Sequence, residues 1–203
     1  MKFIFASGNA HKAKELQELF LGTGIEIIPA PSSMVVEENR DTLFGNAELK
    51  AEAYYQKFKM PVVSDDSGLF VASLPNDLGV NTARYGGEGL SAEQRCRLLL
   101  KNMAGEGSRD AYFACVLCFV LSPKETFFFE GRLAGAIGHQ LLGDGGFGYD
   151  PIFLPHELKE GEFGPRSLAQ DEQFKMENSH RARAATRAKS FLISYLGPSL
   201  KEI

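Results

Sequence analysis

The 203-residue sequence predicts an α/β fold, and three observations carry that prediction. A short apolar run, Lys2–Ala6, enters the turn-prone Ser7-Gly8-Asn9 and is followed by a segment with apolar residues at helical spacing. A longer helical pattern occupies Thr42–Lys59, with Leu43, Ala47, Ala51, Tyr54 and Phe58 recurring on one face. Finally, Asp110–Leu121 and Glu125–Ile137 are long apolar segments joined by Ser122-Pro123-Lys124, the pattern of a β-hairpin in a central sheet.

In chain order, Lys2–Ala6 reads as a buried strand. His11–Leu21 reads as a helix with Leu16, Leu19 and Phe20 on one face and Gly22 past its end. Ile25–Ile28 is a second strand. On the long helix that follows, Asn46 and Lys50 are four residues apart and share a face. Pro61–Ser64 is expected as a third strand ending at Asp65-Asp66-Ser67-Gly68, with Leu69-Phe70-Val71 resuming the apolar run. A polar connector, Pro75–Leu90, leads to a helix over Ser91–Met103, where Ser91 serves as N-cap and Glu93 suits the helix dipole. After the hairpin, the Gly-rich loop Gly143–Pro151 enters a short strand, Ile152–Leu154. Pro155–Gln173 reads as irregular, and a closing helix spans Ser179–Leu196 before Gly197-Pro198. No repeat, low-complexity tract or linker is visible, so residues 1–203 are expected to form one mixed α/β domain.

The bulk properties exclude several classes of function. A net charge of −4 gives no broad electrostatic footprint for nucleic acid. An anionic ligand must therefore be met by a local cluster of donors or by a divalent cation. The N-terminus has no apolar leader and no segment approaches the ~20 apolar residues of a membrane span, so a cytoplasmic protein without a membrane partner is expected. Of the three cysteines, Cys115 and Cys118 have CxxC spacing. They lie on an apolar strand where positions three apart face opposite sides, which favours buried thiols over a redox or zinc pair.

Four clusters carry candidate chemistry. Ser7, Gly8, Asn9, Ala10, His11 and Lys12 form a strand-to-helix turn whose amides and lysine suit phosphate oxygens, although the P-loop spacing is absent and an ordinary helix start has the same composition. Glu37-Glu38 and Asp65-Asp66 supply carboxylates of the kind Mg²⁺ takes. The glutamate pair alone is equally a solvated face, whereas two acids between apolar strands need partners. In Gly145–Asp150, glycines permit close approach of a ligand, and Phe147 and Tyr149 are candidates to stack on a planar base or to fill the core. Lys175 and Ser179-His180-Arg181 supply donors. Lysine and arginine can recognise a purine with a 6-keto oxygen but cannot pair with adenine's 6-amino group.

Taken together and in order, these residues resemble the inosine triphosphate pyrophosphatase family, the dITP/XTP pyrophosphatases. The resemblance covers nearly the whole chain and rests on Ser7-Gly8-Asn9-x-x-Lys12, Asn46-Ala47-x-x-Lys50-Ala51, Asp65-Asp66-Ser67-Gly68-Leu69, Ala83-Arg84-Tyr85, Gly145–Phe153 and Ser179-His180-Arg181. It implies an elongated mixed β-sheet flanked by helices, two lobes with the active site in the cleft between them, and a homodimer. It implies Ser7–Lys12 and Lys50 on the triphosphate, Glu38 and Asp66 on Mg²⁺, Asp66 as general base, and Ser67 in contact with substrate. Phe147, Gly148, Tyr149, Asp150, Lys175, His180 and Arg181 would surround the base. The implied reaction converts ITP, dITP or XTP to the monophosphate and pyrophosphate, removing deaminated purines from the nucleotide pool. Departures occur at Asn39-Arg40-Asp41, where a Gly is usual, at Asn76-Asp77-Leu78-Gly79, and at Gln170, where an acid is common. The first leaves Glu37 or Glu38 open as the metal ligand, and the roles of Asp65 and Asp66 are not separated. A pyrophosphatase of the septum-inhibitor-like family acting on modified pyrimidines, or a nucleotide-binding module without turnover, are the competing readings.

Overall fold

Six strands form one mixed sheet in the order β2-β1-β3-β4-β5-β6, as seen in a computed structural model that describes residues 1–32, 34–162 and 164–197. β1 (Lys2–Phe5) pairs in parallel with β2 (Glu26–Pro29) on one side and with β3 (Val62–Val71) on the other. β4 (Asp110–Ser122) and β5 (Glu125–Ile137) are the expected hairpin, and β5 pairs antiparallel with β6 (Phe153–Pro155). The helices are α1 (Ala10–Leu19), α2 (Leu43–Phe58), α3 (Ala92–Asn102), α4 (Glu172–Asn178) and α5 (His180–Leu196). None of the described helices is long and apolar enough to cross a membrane.

The chain divides into two compact units. One comprises Met1–Ser67, Cys115–Gly131 and the segment from His180 onward; the other comprises Gly68–Ala114 and Arg132–Ser179. β3, β4 and β5 contribute residues to both. The first unit has its own core of Phe3, Phe5, Leu16, Phe20, Leu117 and Phe119 against the small face Ala184, Ala185 and Ala188 of α5. The second packs Leu69, Val71, Leu99, Met103, Phe113 and Leu133 around α3. Each large apolar side chain removed from water contributes about 1.5–3 kcal/mol, so each core is substantial.

Caps set the helix starts. Asn9 accepts from the amides of His11 and Lys12, Thr42 caps Gly45, and Ser91 with Gln94 makes a reciprocal capping box. α1 accordingly starts one residue earlier than its apolar pattern suggests and ends at Leu19. Two expectations are corrected. β3 does not stop at Ser64 but continues through the Asp pair to Val71, because both carboxylates find cationic partners and the backbone can stay in the sheet. Pro155–Gln173 is not followed directly by the closing helix: a 3₁₀ turn at Leu168–Gln170 leads into α4, whose first turn is capped by Asp171 through the Phe174 amide. Pro198 lies outside the described residues.

Gly131 on β5 determines where α5 begins. A Cβ there would lie 2.1 Å from the carbonyl oxygen of His180 and 2.4 Å from the amide nitrogen of Ala184, so strand and helix backbones are in direct contact. The Gly131→Ala variant is expected to lose about 1–3 kcal/mol or more through overpacking, read as a lower urea midpoint with unchanged slope.

Candidate active site

Neighbouring residues on a strand point to opposite faces, and β3 uses this to give two adjacent aspartates separate surroundings. Asp65, 1% exposed, faces α1 and α5. It accepts from Lys12 Nζ, from Arg181 Nε at 2.7 Å, from the Cys115 thiol at 3.1 Å and from the Ser67 hydroxyl at 3.3 Å. Asp66 faces α2 and meets Lys50 Nζ at 2.8 Å. Burial alone would raise the Asp65 carboxyl, but the Arg181 guanidinium and the Lys12 ammonium beside it overcome burial and hold it well below the usual carboxylate range. Burial also lifts Asp66; Lys50 draws it back, Glu38 adds to the rise, and the group comes to rest at about 6.

Lys50 is clasped between two carboxylates. Its Nζ donates to Asp66 Oδ1 at 2.8 Å and to Glu38 Oε1 at 3.1 Å, and the Lys50 side chain is only 10% exposed. Although burial opposes the charge, Asp66, then Glu38 and Asp65, raise the Lys50 pKa above its ordinary value. Glu37 is exposed, so the structure brings Glu38 and not Glu37 to this cluster. Asn46, one turn before Lys50 on α2, exchanges hydrogen bonds with the Arg40 backbone at 3.0 and 3.3 Å and thereby fixes the segment that follows Glu38. The Ser64 hydroxyl donates to the Ala47 carbonyl at 2.5 Å, pinning β3 to the same helix.

The Ser7–Lys12 turn is less open than its sequence implies. Ser7 Oγ accepts from the Asn9 amide, and Asn9 Oδ1 accepts from the amides of His11 and Lys12 at 3.0 and 3.2 Å. The side chains in the turn have taken those donors. Ser7 is half-buried, while Gly8, Asn9, Ala10 and His11 are exposed, so the turn lies at the surface of the unit.

In the second unit, Asp150 Oδ2 accepts from Lys175 Nζ at 2.7 Å and from the Phe147 amide at 2.8 Å. Lys175 Nζ also sits 4.3 Å from the centre of the Phe147 ring, a cation–π contact. Gly146, at φ +69°, is needed there, since a Cβ would lie 2.3 Å from Asp150 Oδ2. Phe147 and Gly148 are half-buried. Tyr149, by contrast, is 5% exposed and donates its hydroxyl to the Thr82 carbonyl at 2.9 Å. Of the two aromatics in this loop, Phe147 is the less buried; Tyr149 ties the loop to the core.

The expectation for Arg181 changes in emphasis. Its Nε donates to Asp65, its Nη1 to Glu15 at 2.5 Å and its Nη2 to Ser67 at 3.4 Å, and the residue is 1% exposed. The guanidinium that the sequence assigns to base recognition is committed here to carboxylates of the first unit. His180, which opens α5, is also buried. Glu15 was not singled out from the sequence; its position one turn after Lys12 on α1 is the only signal that could have marked it.

As a whole, the first unit's cluster combines the cations Lys12, Lys50 and Arg181 with the carboxyl groups of Glu15, Glu38, Asp65 and Asp66. Such a cluster has no surplus positive charge with which to receive a polyanion. Two carboxylate oxygens, of Glu38 and Asp66, converge on one cationic centre, the Lys50 ammonium; two is within the number Mg²⁺ usually takes from protein, although among the described residues no group of three or more histidine, cysteine or acidic side chains is arranged to hold a metal ion.

Comparison with known proteins was informative over nearly the full length. A model of the Ham1 family matches residues 3–191. A Porphyromonas gingivalis protein named dITP/XTP pyrophosphatase is 37% identical over 199 residues, covering 95% of this chain and 97% of the relative. A Listeria monocytogenes protein of the same name is 37% identical over 198 residues, covering 95% of each. Among solved structures, the Staphylococcus aureus Ham1 protein aligns with a TM-score of 0.83 at 32% identity, over 96% of this chain and 100% of that one.

Proposed function

Because this chain belongs to the Ham1 family, we propose that it hydrolyses non-standard purine nucleoside triphosphates (ITP, dITP and XTP) to the monophosphate and pyrophosphate. The observation that carries this reading is the division of labour on β3. Asp65 is saturated by Lys12, Arg181, Cys115 and Ser67, whereas Asp66 faces Lys50 and Glu38 with its carboxyl pushed up to about 6. A carboxylate near that value is suited to take a proton close to neutral pH. A binding module has no need of it.

Glu38 and Asp66 would hold Mg²⁺, which when bound supplies a Lewis acid and a counter-charge for a polyphosphate of about four negative charges. Lys50, released from its carboxylate clasp, and Lys12, drawn from Asp65, would bind phosphate oxygens together with Ser7–His11. Asp66 accepts a proton from water as the water oxygen bonds to the α-phosphorus. The bond from that phosphorus to the oxygen bridging the α- and β-phosphates breaks, and pyrophosphate leaves. Ser67 contacts the substrate from the next position on β3.

Phe147, Gly148, Tyr149, Asp150, Lys175, His180 and Arg181 would form the base site, with Phe147 stacking and Lys175 donating. A purine with a 6-keto oxygen accepts that donor. Adenine presents its own donor and leaves a buried one unmatched, a mismatch worth up to about 10⁴–10⁵ in rejection.

The test is pyrophosphate release from ITP, XTP, dATP, dGTP and dUTP with Mg²⁺ or EDTA. Turnover of ITP and XTP that is abolished by EDTA, with weak turnover of dATP and dGTP, is the expected result; preference for dUTP would favour the pyrimidine enzymes, and no turnover would leave a binding module. Cation binding should also depend on pH. With Asp66 at about 6, protons compete with the cation below that value, so affinity is expected to rise between pH 5 and 7. Titration with Mn²⁺ at the two pH values checks this, and equal affinities would remove Asp66 from the metal site.

A further inference from the structure

One buried group touches the proposed machinery without a task in it. Cys115 lies on β4, is fully buried, and has its Sγ 3.1 Å from Asp65 Oδ2. The same oxygen accepts from Arg181 Nε at 2.7 Å, while Asp65 Oδ1 receives Lys12 Nζ and the Ser67 hydroxyl. A carboxylate oxygen has two lone pairs, so guanidinium and thiol together fill Oδ2. A carboxylate with one donor on an oxygen can still pivot about its terminal torsion, which is broad and soft. With both lone pairs of Oδ2 occupied from two different elements, β4 and α5, the plane of the group is fixed.

We infer that Cys115 is a positioning residue: its S–H donates to Asp65 Oδ2 and fixes the carboxylate plane that in turn places the Lys12 ammonium and the Arg181 fork for substrate. The inference rests on the proposed function for the roles of Lys12 and Arg181, but the hydrogen bond itself does not. Cys118 supplies the internal control. It is equally buried on the same strand, yet it sits on the opposite face, where Glu48 and Glu52 of α2 are its charged neighbours.

The experiment compares Cys115→Ala, Cys115→Ser and Cys118→Ala in the full chain at a temperature where all are folded. Loss of one hydrogen bond to a charged group predicts that Cys115→Ala raises KM for ITP about fivefold to tenfold, with kcat within about twofold because Glu38, Lys50 and Asp66 are untouched. Cys115→Ser keeps a donor and is expected to restore KM to within about twofold of the parent, and Cys118→Ala to leave it unchanged while lowering the melting temperature. In the infrared, the S–H stretching band assigned to Cys115 by its loss in Cys115→Ala is expected below that of Cys118. An unchanged KM in folded Cys115→Ala, a serine variant as impaired as alanine, or a Cys115 band at the frequency of an unbonded thiol would overturn the inference. If the parent protein turns over no nucleotide, the proposed function fails by itself, and the infrared band still decides whether the thiol holds Asp65.

Discussion

Asp66→Asn is expected to reduce pyrophosphate release from ITP by about 10³–10⁴-fold, the upper part of the range for loss of a general base, while leaving the protein folded. The amide nearly matches the carboxylate in volume, and its oxygen still accepts from Lys50, which keeps Glu38 as its anionic partner at 3.1 Å. On the proposed function, what disappears is the capacity to take a proton from water and one anionic ligand for the cation. Both losses act on the chemical step, so kcat falls more than KM rises. Asp65→Asn is the comparison that separates the two acids. It leaves Lys50, Glu38 and Asp66 in place and weakens the hold on Lys12 and Arg181, so its principal effect should fall on KM and on stability. Equal losses of kcat in the two variants would contradict the assignment of the base to Asp66 alone. Initial rates over a range of ITP concentrations, with circular dichroism to confirm folding, decide the matter.

The acids and lysines of this cluster were legible in the sequence as candidates, but their geometry was not. Asp65-Asp66 stood out because two acids within apolar segments require partners; Lys12 and Lys50 were expected at phosphate and Glu38 at a metal, and the structure pairs both lysines with the aspartates. The continuation of β3 through the pair was not legible, because the groups that neutralise Asp65 are distant in the chain: Lys12 lies 53 positions away and Arg181 lies 116. Without them, adjacent carboxylates read as the end of a strand. The same distance hid the commitment of Arg181 to Asp65 and Glu15. Glu37 and Glu38 were indistinguishable by composition; the clasp on Lys50 distinguishes them. The start of α3 was readable from Ser91, a preferred cap, whereas the caps Asn9 and Thr42 emerge only in the structure. α4 was not, since seven residues give too short a window for a helical period to emerge. In the Ser7–Lys12 turn, the cap that makes the helix consumes amides that the sequence offered to a phosphate.

The contrast between the two aspartates also bears on how a cluster with no excess positive charge can serve a polyanionic substrate. Asp65 holds Lys12 and Arg181 in place, so the cost of ordering these side chains is met during folding and not during binding. Lys50 pairs with Glu38 and Asp66; on the proposed function a divalent cation would take those oxygens and leave the Lys50 charge to phosphate. Folding and ligand binding thus draw on the same ion pairs, and a substitution in the cluster affects both.

Arg181→Met is the substitution expected to cost most in stability. It removes the guanidinium that reaches Asp65, Glu15 and Ser67 together, and Asp65 has no side-chain exposure while Glu15 has 13%. Deleting the guanidinium leaves Asp65 with Lys12 as its remaining cationic partner and removes one partner of Glu15, a loss of about 3 kcal/mol, the low end of the range for a broken buried pair. Arg181→Lys keeps the charge but not the planar fork and should recover only part of it. The pH dependence supplies an independent reading. Asp65 is held well below its unfolded value, so its contribution is fully present above the unfolded carboxylate pKa of about 3.9 and is lost as pH falls toward the folded one. The parent protein should therefore lose stability steeply below pH ~4. Arg181→Met should begin from a lower plateau and show a shallower acid limb, because without the guanidinium the Asp65 carboxyl no longer lies so far below its unfolded value. Urea unfolding at several pH values from neutral into that acid range measures both quantities. A plateau unchanged from the parent's would show that the Arg181 pairs contribute nothing net to folding, and parallel acid limbs would show that Arg181 is not what holds Asp65 ionised.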